Sequence, residues 1–245
     1  MLRIATIGTS MITDDFIQVV NANDQTVFVG TLSRNAERGA AFTAEHGGER
    51  NFTSLDELAA AADVDAVYIG SPNALHYEQA LACIASGKHV IVEKPFCATE
   101  AQALEVFRAA EADTMLRDIE LCREAGAAAV VIGALDSRGD VDMPLIRRLC
   151  DAASGMSVTF HRAFDVCADP LAAFEGVLAL GCDRLLTSGH ESDAFKGRFF
   201  IAELVERAAG RIIVMPGCGV RRSNIARIAA DTGAVEFHAS SAFFD

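Results

Sequence analysis

The sequence has no tryptophan, two tyrosines and five prolines among its 245 residues. It also lacks long apolar segments: no run approaches the roughly 18 residues that a membrane-spanning helix requires, which excludes a membrane protein and makes a membrane partner unexpected. From Met1 the chain enters a strand pattern at once, without the apolar stretch and cleavage site of a signal peptide. A cytoplasmic location is therefore expected.

Paired cysteines and positive charge are also scarce. None of the seven cysteines forms a CxxC pair, and their odd number and wide spacing argue against a disulfide framework. Lys and Arg total 21 against 34 Asp and Glu, which gives a net charge of −13 at pH 7. This balance excludes a basic surface for nucleic acid, and a small anionic or phosphate-bearing ligand would need local donors such as helix N-termini.

What is present is a regular alternation of short β-branched runs with Ala-, Leu- and Glu-rich helical patterns. Repeated βα units predict an α/β fold with a parallel sheet, either open or closed into a barrel. The clearest predicted strands are Arg3–Gly8, Thr26–Leu32, Ala66–Gly70, His89–Val92, Ala129–Ala134, Ser157–Phe160, Arg184–Thr187, Arg211–Met215 and Val235–His238.

The pattern changes near Asp113 and divides the chain into two predicted domains, residues 1–112 and residues 113–245. The boundary falls inside Thr99–Glu124, a stretch without glycine or proline. Such a stretch predicts one long helix or two helices that meet near residues 112–114.

The first predicted strand ends in a loop typical of a dinucleotide site. Gly8 permits a tight turn, and the N-terminus of the following helix can receive a pyrophosphate. Ser10 and Thr13 stand where a GxGxxG loop has its second and third glycines, so a plain strand-to-helix turn stays open as the alternative. The predicted phosphate-loop residues are Gly8, Thr9, Ser10, Met11 and Ile12.

The end of the second predicted strand indicates which dinucleotide is bound. NAD sites usually place Asp or Glu there to bind the ribose hydroxyls, whereas this sequence has Ser33 and Arg34. An arginine suits the additional phosphate of NADP; the other interpretation is a solvated arginine at a helix start. NADP is therefore the predicted cofactor, with NAD as the alternative.

Two further motifs give the first half a family resemblance. Residues 70–76 read GSPNALH and residues 93–95 read EKP, each at the end of a predicted strand. Together with the GTSMIT loop, they resemble the glucose–fructose oxidoreductase/inositol dehydrogenase (Gfo/Idh/MocA) family over residues 1–112. The resemblance implies a Rossmann-like NAD(P)-binding unit with Lys94 as the catalytic residue. It further implies cofactor contacts from Ser71, Pro72, Asn73, His76, Glu93 and Lys94.

That family continues into a second α/β domain that supplies most substrate contacts and the catalytic partners of the lysine. In this sequence a different pattern follows residue 112. The resemblance therefore implies NADP binding, while dehydrogenase turnover lacks its substrate domain.

The motifs beyond Asp113 belong to another pattern. Residues 158–165 read VTFHRAFD, residues 213–220 read IVMPGCGV and residues 236–241 read EFHASS. This half resembles the C-terminal part of the CutC family, a TIM-barrel family named for copper homeostasis. The resemblance implies a partial TIM barrel of five C-terminal strands, with the first three of eight strands absent.

Chemistry in a parallel barrel lies at the C-terminal ends of the strands. There the Gly-rich turn and the helix after it predict an anion or phosphate site, to which an arginine can add a bidentate contact. The anion-binding candidates are Arg162, Gly217, Gly219 and Ser240. Imidazole and thiolate suit Cu(I), although histidines at strand ends also serve as hydrogen-bonding groups. The candidate copper ligands are His161, Cys218 and His238.

Five barrel strands alone would leave open sheet edges. A dinucleotide fold has the strand order 3-2-1-4-5, so the strand Ala129–Ala134 could add beside the strand that ends at Glu93 and form one continuous or closed sheet. The alternative is two separate layers, with a second copy of the chain covering the open edge. The main prediction is an NADP-binding oxidoreductase unit fused to a CutC-like segment; the alternatives are a CutC-like copper homeostasis protein and a structural chimera without activity.

Overall fold

The computed structural model describes residues 1–240. Ser241, the last residue of the EFHASS motif, lies outside the described residues. The chain forms two compact units, Met1–Thr114 and Met115–Asp245. Within residues 1–240, no helix has the length and apolarity needed to cross a bilayer.

The first unit is built on a five-stranded parallel sheet. Its strands are β1 (Leu2–Ile7), β2 (Thr26–Leu32), β3 (Arg50–Phe52), β4 (Ala66–Ile69) and β5 (His89–Val92). They lie in the order β3-β2-β1-β4-β5, which confirms the order predicted for a dinucleotide fold. Because the strand order reverses at β1, the loops after β1 and β4 diverge and open a crevice at the carboxyl edge of the sheet.

Helices cover both faces of this sheet. They are α1 (Met11–Asn21), α2 (Ala36–Glu45), α3 (Leu55–Ala60) and α4 (His76–Ala85). Side-chain caps define where two of them begin: the side chain of Asn35 accepts a hydrogen bond from the N–H of Arg38, and that of Ser54 from the N–H of Glu57. The central strand β4 is buried at all four positions, as expected for a strand with helices on both sides.

The second unit contains a four-stranded parallel sheet. Its strands are β6 (Ala129–Ile132), β7 (Ser157–Phe160), β8 (Arg184–Thr187) and β9 (Ile213–Pro216), and they neighbour one another in that order. Its helices are α6 (Met143–Ala152), α7 (Pro170–Ala179), α8 (Arg198–Ala208) and α9 (Ile225–Thr232). Phe160, Phe164 and Phe174 are fully buried at the centre of its apolar core.

The stretch that contains the predicted domain boundary is one helix, α5 (Glu100–Glu124). This was one of the two predicted alternatives, and the absence of glycine and proline explains it. Val106 is buried in an apolar cluster of the first unit, and Ile119 in the cluster of the second unit.

Two predictions about the sheets need correction, and one strand was missed. The continuous or closed sheet is wrong, since β5 and β6 belong to different sheets within the described residues. The predicted fifth barrel strand, Val235–His238, forms no strand there, and its backbone is tied to β9 by the N–H of His238, which donates to the carbonyl of Pro216 at 2.9 Å. Strand β3 was not predicted because its three residues are too few to show a period.

Candidate functional site

A cavity of about 530 Å³ lies at the carboxyl ends of β1, β2 and β4 in the first unit. This edge is where open parallel sheets bind ligands, and the volume falls in the range of roughly 300–1,000 Å³ found for small-molecule sites. Seven predicted cofactor residues line the cavity: Gly8, Thr9, Ser10, Ser33, Arg34, Ser71 and Pro72.

The loop after β1 requires glycine at its first position. Gly8 has a φ of +109°, and a Cβ there would lie 2.8 Å from the carbonyl oxygen of Gly70. The hydroxyl of Thr31 donates to the carbonyl of Gly8 at 3.1 Å and holds the loop against β2. Ser10 precedes α1 without a side-chain cap, so the N–H groups of the first turn are available to a ligand.

Two arginines follow β2 at the same cavity. Arg34 and Arg38 both line it, and Arg38 Nη2 donates to the carbonyl of Thr9 at 2.9 Å. Sequence reasoning missed Arg38, which lies in the first turn of α2, whereas Arg34 precedes the helix cap Asn35. Among residues 1–240 no carboxylate lines this cavity, so its charge is positive in an acidic chain.

His76 connects two of the predicted motifs. Its side chain is fully buried, with Nδ1 3.0 Å from the carbonyl of Pro95 and Nε2 2.8 Å from the carbonyl of Ser71. The histidine therefore holds the EKP turn against the loop that lines the cavity, and it acts through the backbone without lining the cavity itself.

Glu93 is held in place while Lys94 faces solvent. The hydroxyl of Tyr68 donates to Glu93 Oε1 at 2.8 Å, and this bond, followed by one from the N–H of Lys94, lowers the pKa of Glu93. Burial, and then the same bond, raises the pKa of Tyr68. The Lys94 side chain is 90% exposed, with Nζ 3.8 Å from Glu93 Oε2.

The remaining predicted cofactor residues lie outside the cavity lining. Met11 is 81% exposed and Ile12 is 42% exposed at the start of α1. Neither Asn73, in a 3₁₀ turn before α4, nor His76, Glu93 or Lys94 is part of the lining. A glycine turn, an uncapped helix N-terminus and two arginines nevertheless fit a phosphorylated dinucleotide.

The second unit has its own cavity of about 310 Å³ at the carboxyl ends of β8 and β9. Three of the four predicted anion-binding residues line it: Arg162, Gly219 and Ser240. The fourth, Gly217, does not; its N–H donates to the carbonyl of Thr187, and a Cβ there would lie 2.4 Å from Leu186 Cδ1. Gly217 is thus a packing position.

Asp165 anchors this site and was absent from the predicted site residues. Its side chain is 4% exposed and lies 2.7 Å from Arg162 Nε. Burial alone would raise the pKa of Asp165, but hydrogen bonds from Thr187, Arg162 and Ser188 lower it. The sequence signal that could have found it is the HRAFD motif, in which an aspartate follows an arginine by three residues.

The predicted copper ligands are not assembled. Cys218 and His238 line the cavity of the second unit, but His161 does not. His161 instead accepts a hydrogen bond from the N–H of Ala163 at Nδ1, 3.0 Å away. Within the described part of the chain, no three His, Cys, Asp or Glu side chains are grouped as a metal site would require. The three-ligand copper site is therefore corrected to a cavity with one thiol and one imidazole.

Comparison with known families gives one match for each half. Residues 2–116 match the sequence model of an oxidoreductase family with an NAD-binding Rossmann fold. Residues 103–243 match the model of the CutC family. The two matches overlap at residues 103–116, inside α5, and they confirm both family resemblances.

Individual relatives cover parts of the chain. A CutC family protein of Parabacteroides distasonis is 60% identical over 136 residues, which is 56% of this chain and 56% of that protein. The chain thus spans about half the length of the curated relatives it matches.

Solved structures similar to this chain come from both families. KijD10, a 3-ketoreductase from Actinomadura kijaniata solved with NADP, is 26% identical with a TM-score of 0.44, over 60% of this chain and 54% of that one. CutC from Streptococcus agalactiae, a protein named for copper homeostasis, is 26% identical with a TM-score of 0.47, over 72% of this chain and 89% of that one.

Proposed function

The chain belongs to the CutC family, and from that premise we propose that the NAD-binding Rossmann unit preceding its CutC segment binds NADP(H) in preference to NAD(H). The observation that carries this is the charge at the end of β2. Arg34 and Arg38 line the cavity there, and no carboxylate from residues 1–240 does. A carboxylate at this place binds the ribose hydroxyls in NAD sites, whereas arginine accommodates the 2′-phosphate of NADP.

Each part of the cavity has a role in this proposal. The first turn of α1 receives the pyrophosphate, because its N–H groups and helix dipole favour negative charge. Gly8 lets the backbone approach the cofactor, and Thr31 keeps the loop in place. Arg38 exchanges its bond to the Thr9 carbonyl for one to the 2′-phosphate, where a charge-assisted hydrogen bond is stronger.

Lys94 remains the catalytic candidate for any oxidoreductase activity. Bound NADPH would supply a hydride, and the lysine would donate a proton to the reduced carbonyl oxygen. Support comes from His76, which holds Pro95 against the Ser71 loop and so keeps the residue after Lys94 next to the cavity. We expect Lys94→Gln to change NADPH affinity by less than about threefold, because an exposed charge contributes little to binding.

Fluorescence titration with NADPH and NADH tests the cofactor proposal. Loss of one charge-assisted hydrogen bond predicts about tenfold weaker NADPH binding in Arg34→Ala and in Arg38→Ala, with NADH affinity little changed. Arg207→Ala is the control, since it removes the same charge from an exposed pair with Glu203. The proposal is contradicted by the absence of a saturable nicotinamide signal, or by equal losses for both cofactors.

All seven cysteines are free thiols. This supports a reducing compartment such as the cytoplasm, where disulfides are rare. Copper is not part of the proposed function, because His161 does not line the cavity that Cys218 and His238 share.

A further inference from the structure

The cavity of the second unit combines positive groups in a strongly acidic chain. Arg162 and Arg221 line it beside the imidazole of His238, and no carboxylate from residues 1–240 is part of its lining. The chain has a net charge of −13. Two arginines at one cavity without a lining carboxylate therefore indicate a local requirement for positive charge. We propose that this cavity binds a phosphoryl group, as free phosphate or as a phosphate monoester, with Arg162 and Arg221 as its charged ligands.

Arg162 is oriented before any ligand arrives. Its Nε donates to Asp165 Oδ2 at 2.7 Å and its Nη2 to the hydroxyl of Ser188 at 3.2 Å. The side chain nevertheless stays 43% exposed. A guanidinium held by two partners loses little conformational entropy when an anion binds, which favours affinity.

Asp165 is the positioning residue for this arginine. Its two carboxylate oxygens also accept from the N–H of Ser188 at 3.0 and 2.9 Å, and from the Ser188 hydroxyl at 2.9 Å. These bonds hold the buried carboxylate rigid at the end of β8. Asp165 balances the charge of Arg162, so Arg221 supplies the net positive charge of the site.

The Gly-rich turn after β9 supplies neutral donors. Cys218 and Gly219 both adopt left-handed conformations, with φ of +72° and +70°. The carbonyl of Cys218 accepts from the N–H of Ala194, and that of Gly219 accepts from the Asn224 side chain. No residue in the range 1–240 accepts from the N–H of Cys218 or of Gly219. Successive free N–H groups in such a turn form an anion-binding concavity.

Cys218 makes the site directly observable. It lines the cavity, and its Sγ lies 3.3 Å from the carbonyl of Ser192. A bound phosphoryl group should therefore protect this thiol from alkylation. Cys122 is exposed and lies outside the cavity, so it reports on reagent reactivity in the same sample.

The experiment measures iodoacetamide labelling of each cysteine by peptide mass spectrometry at constant pH and ionic strength. The probes are inorganic phosphate and glycerol phosphate, with chloride as the reference anion. For a dissociation constant of about 1 mM, a probe at ~10 mM slows Cys218 labelling about tenfold, while Cys122 is unaffected. Stronger protection by glycerol phosphate assigns a phosphate monoester as the ligand, and equal protection assigns free phosphate. If neither probe protects Cys218, the proposal is overturned.

Variants identify the ligating groups. Arg162→Gln and Arg221→Gln should each raise the half-protecting concentration about tenfold, and Arg207→Gln should leave it unchanged. Arg221 is exposed, so its substitution preserves the fold. Arg34→Ala should retain full protection, which separates this site from the cofactor cavity. Equal protection in the wild type and in both cavity variants would show that neither Arg162 nor Arg221 binds the phosphoryl group.

A double substitution tests whether Asp165 acts by positioning Arg162. Asp165→Asn should raise the half-protecting concentration, and adding it to Arg162→Gln should give no further increase, because both act through one guanidinium. Additive effects of the two substitutions would show that Asp165 does not act through Arg162.

Discussion

The two units differ in how completely their sheets are covered. All four residues of the inner strand β4 are buried in the first unit, whereas the inner strand β8 of the second unit alternates between half-buried and buried residues. Val131 on β6 is 62% exposed, and a cleft of about 310 Å³ lies between β6 and the end of α5. Both sheets therefore end in exposed edge strands, β5 in the first unit and β6 in the second, and the difference lies in the inner strands, which are covered more completely in the first unit.

The comparison shows that a ligand cavity does not need a closed sheet. In both units the cavity lies at the carboxyl ends of adjacent strands, and its donors come from the loops that follow them. Two or three neighbouring strands are enough to place those loops. The phosphoryl cavity can therefore form on four strands, provided that β8 and β9 keep their pairing.

The strongest test of the comparison is a pair of glycine substitutions, one in each unit. A Cβ at Gly30 would lie 1.7 Å from the carbonyl oxygen of Arg50, and one at Gly197 would lie 1.9 Å from that of Ser188. Each change to alanine should destabilise its own unit by about 3 kcal/mol, because the backbone must shift. Hydrogen exchange with mass spectrometry should show faster exchange in that unit only.

Gly47→Ala is the control for these two variants. Nothing lies within 4 Å of its Cβ position, although φ is +76°, so the expected cost is about 1 kcal/mol. Simultaneous loss of protection in both units after either clashing substitution would show that the units unfold together.

A second test compares two carboxylates. Asp165 is 4% exposed, whereas Asp65, which pairs with Arg3, is 31% exposed. Asp165→Asn should cost about 2–3 kcal/mol because buried charged partners are left unpaired. Asp65→Asn should cost about 1 kcal/mol, reduced by solvent screening. Urea unfolding at pH 7 gives both values, and equal losses would contradict the difference in burial.

The pKa values of Asp165 and Asp65 predict that the protein loses stability in acid. The folded state lowers both pKa values below their usual 3.8, so the stabilisation is complete above that pH and is lost as the pH falls below it. Thermal unfolding between pH 5 and about pH 2.5 should therefore show a smaller difference between wild type and each Asn variant as the pH falls. A difference that grows as the pH falls would show that folding raises these pKa values instead of lowering them.

A third test compares two histidines. His76 is fully buried between two carbonyls, while His161 is half-buried with one backbone partner. His76→Ala should cost about 2 kcal/mol and His161→Ala about 1 kcal/mol, in proportion to the buried groups left without partners. His76→Ala should also weaken NADPH binding, and unchanged affinity would remove its role in holding the Ser71 loop.

The smallest expected effect concerns the open edge of the second sheet. We expect Val131→Lys to change stability by less than about 0.5 kcal/mol, because the side chain is exposed. If a second copy of the chain covers β6, the lysine should dissociate it, since a charge on an edge strand opposes pairing. Light scattering over a concentration series decides this: a wild-type protein that stays monomeric would exclude the homo-oligomer.

Much of the first unit was predictable from sequence because local patterns match its geometry. Buried parallel strands read as β-branched runs, and Gly8, Ser33 and Arg34 follow strand ends where the cofactor cavity lies. Arg38 was missed because the prediction considered only the residues at the end of β2, and Arg38 lies beyond them in the first turn of α2. Lys94 was predicted from family resemblance alone, and its contact with the cofactor stays a prediction.

The second unit was harder to predict because its contacts are non-local. The copper hypothesis joined His161, Cys218 and His238 by their positions at strand ends, but side-chain direction separates the first from the other two. Val235–His238 has a strand-like composition, yet a strand forms only where the neighbouring ladder continues. Asp165 lies within a quoted motif, but only the fold brings Thr187 and Ser188 to its carboxylate.

The distribution of aromatic residues has an optical consequence. The chain has no tryptophan and two tyrosines, Tyr68 and Tyr77, and both lie in the first unit. Tyr68 stacks on Phe16 with ring centroids 4.0 Å apart and donates to Glu93, while Tyr77 donates to Glu105. Tyrosine emission of the native protein therefore reports on the first unit alone, and the second unit contributes only the weaker ultraviolet signal of its phenylalanines.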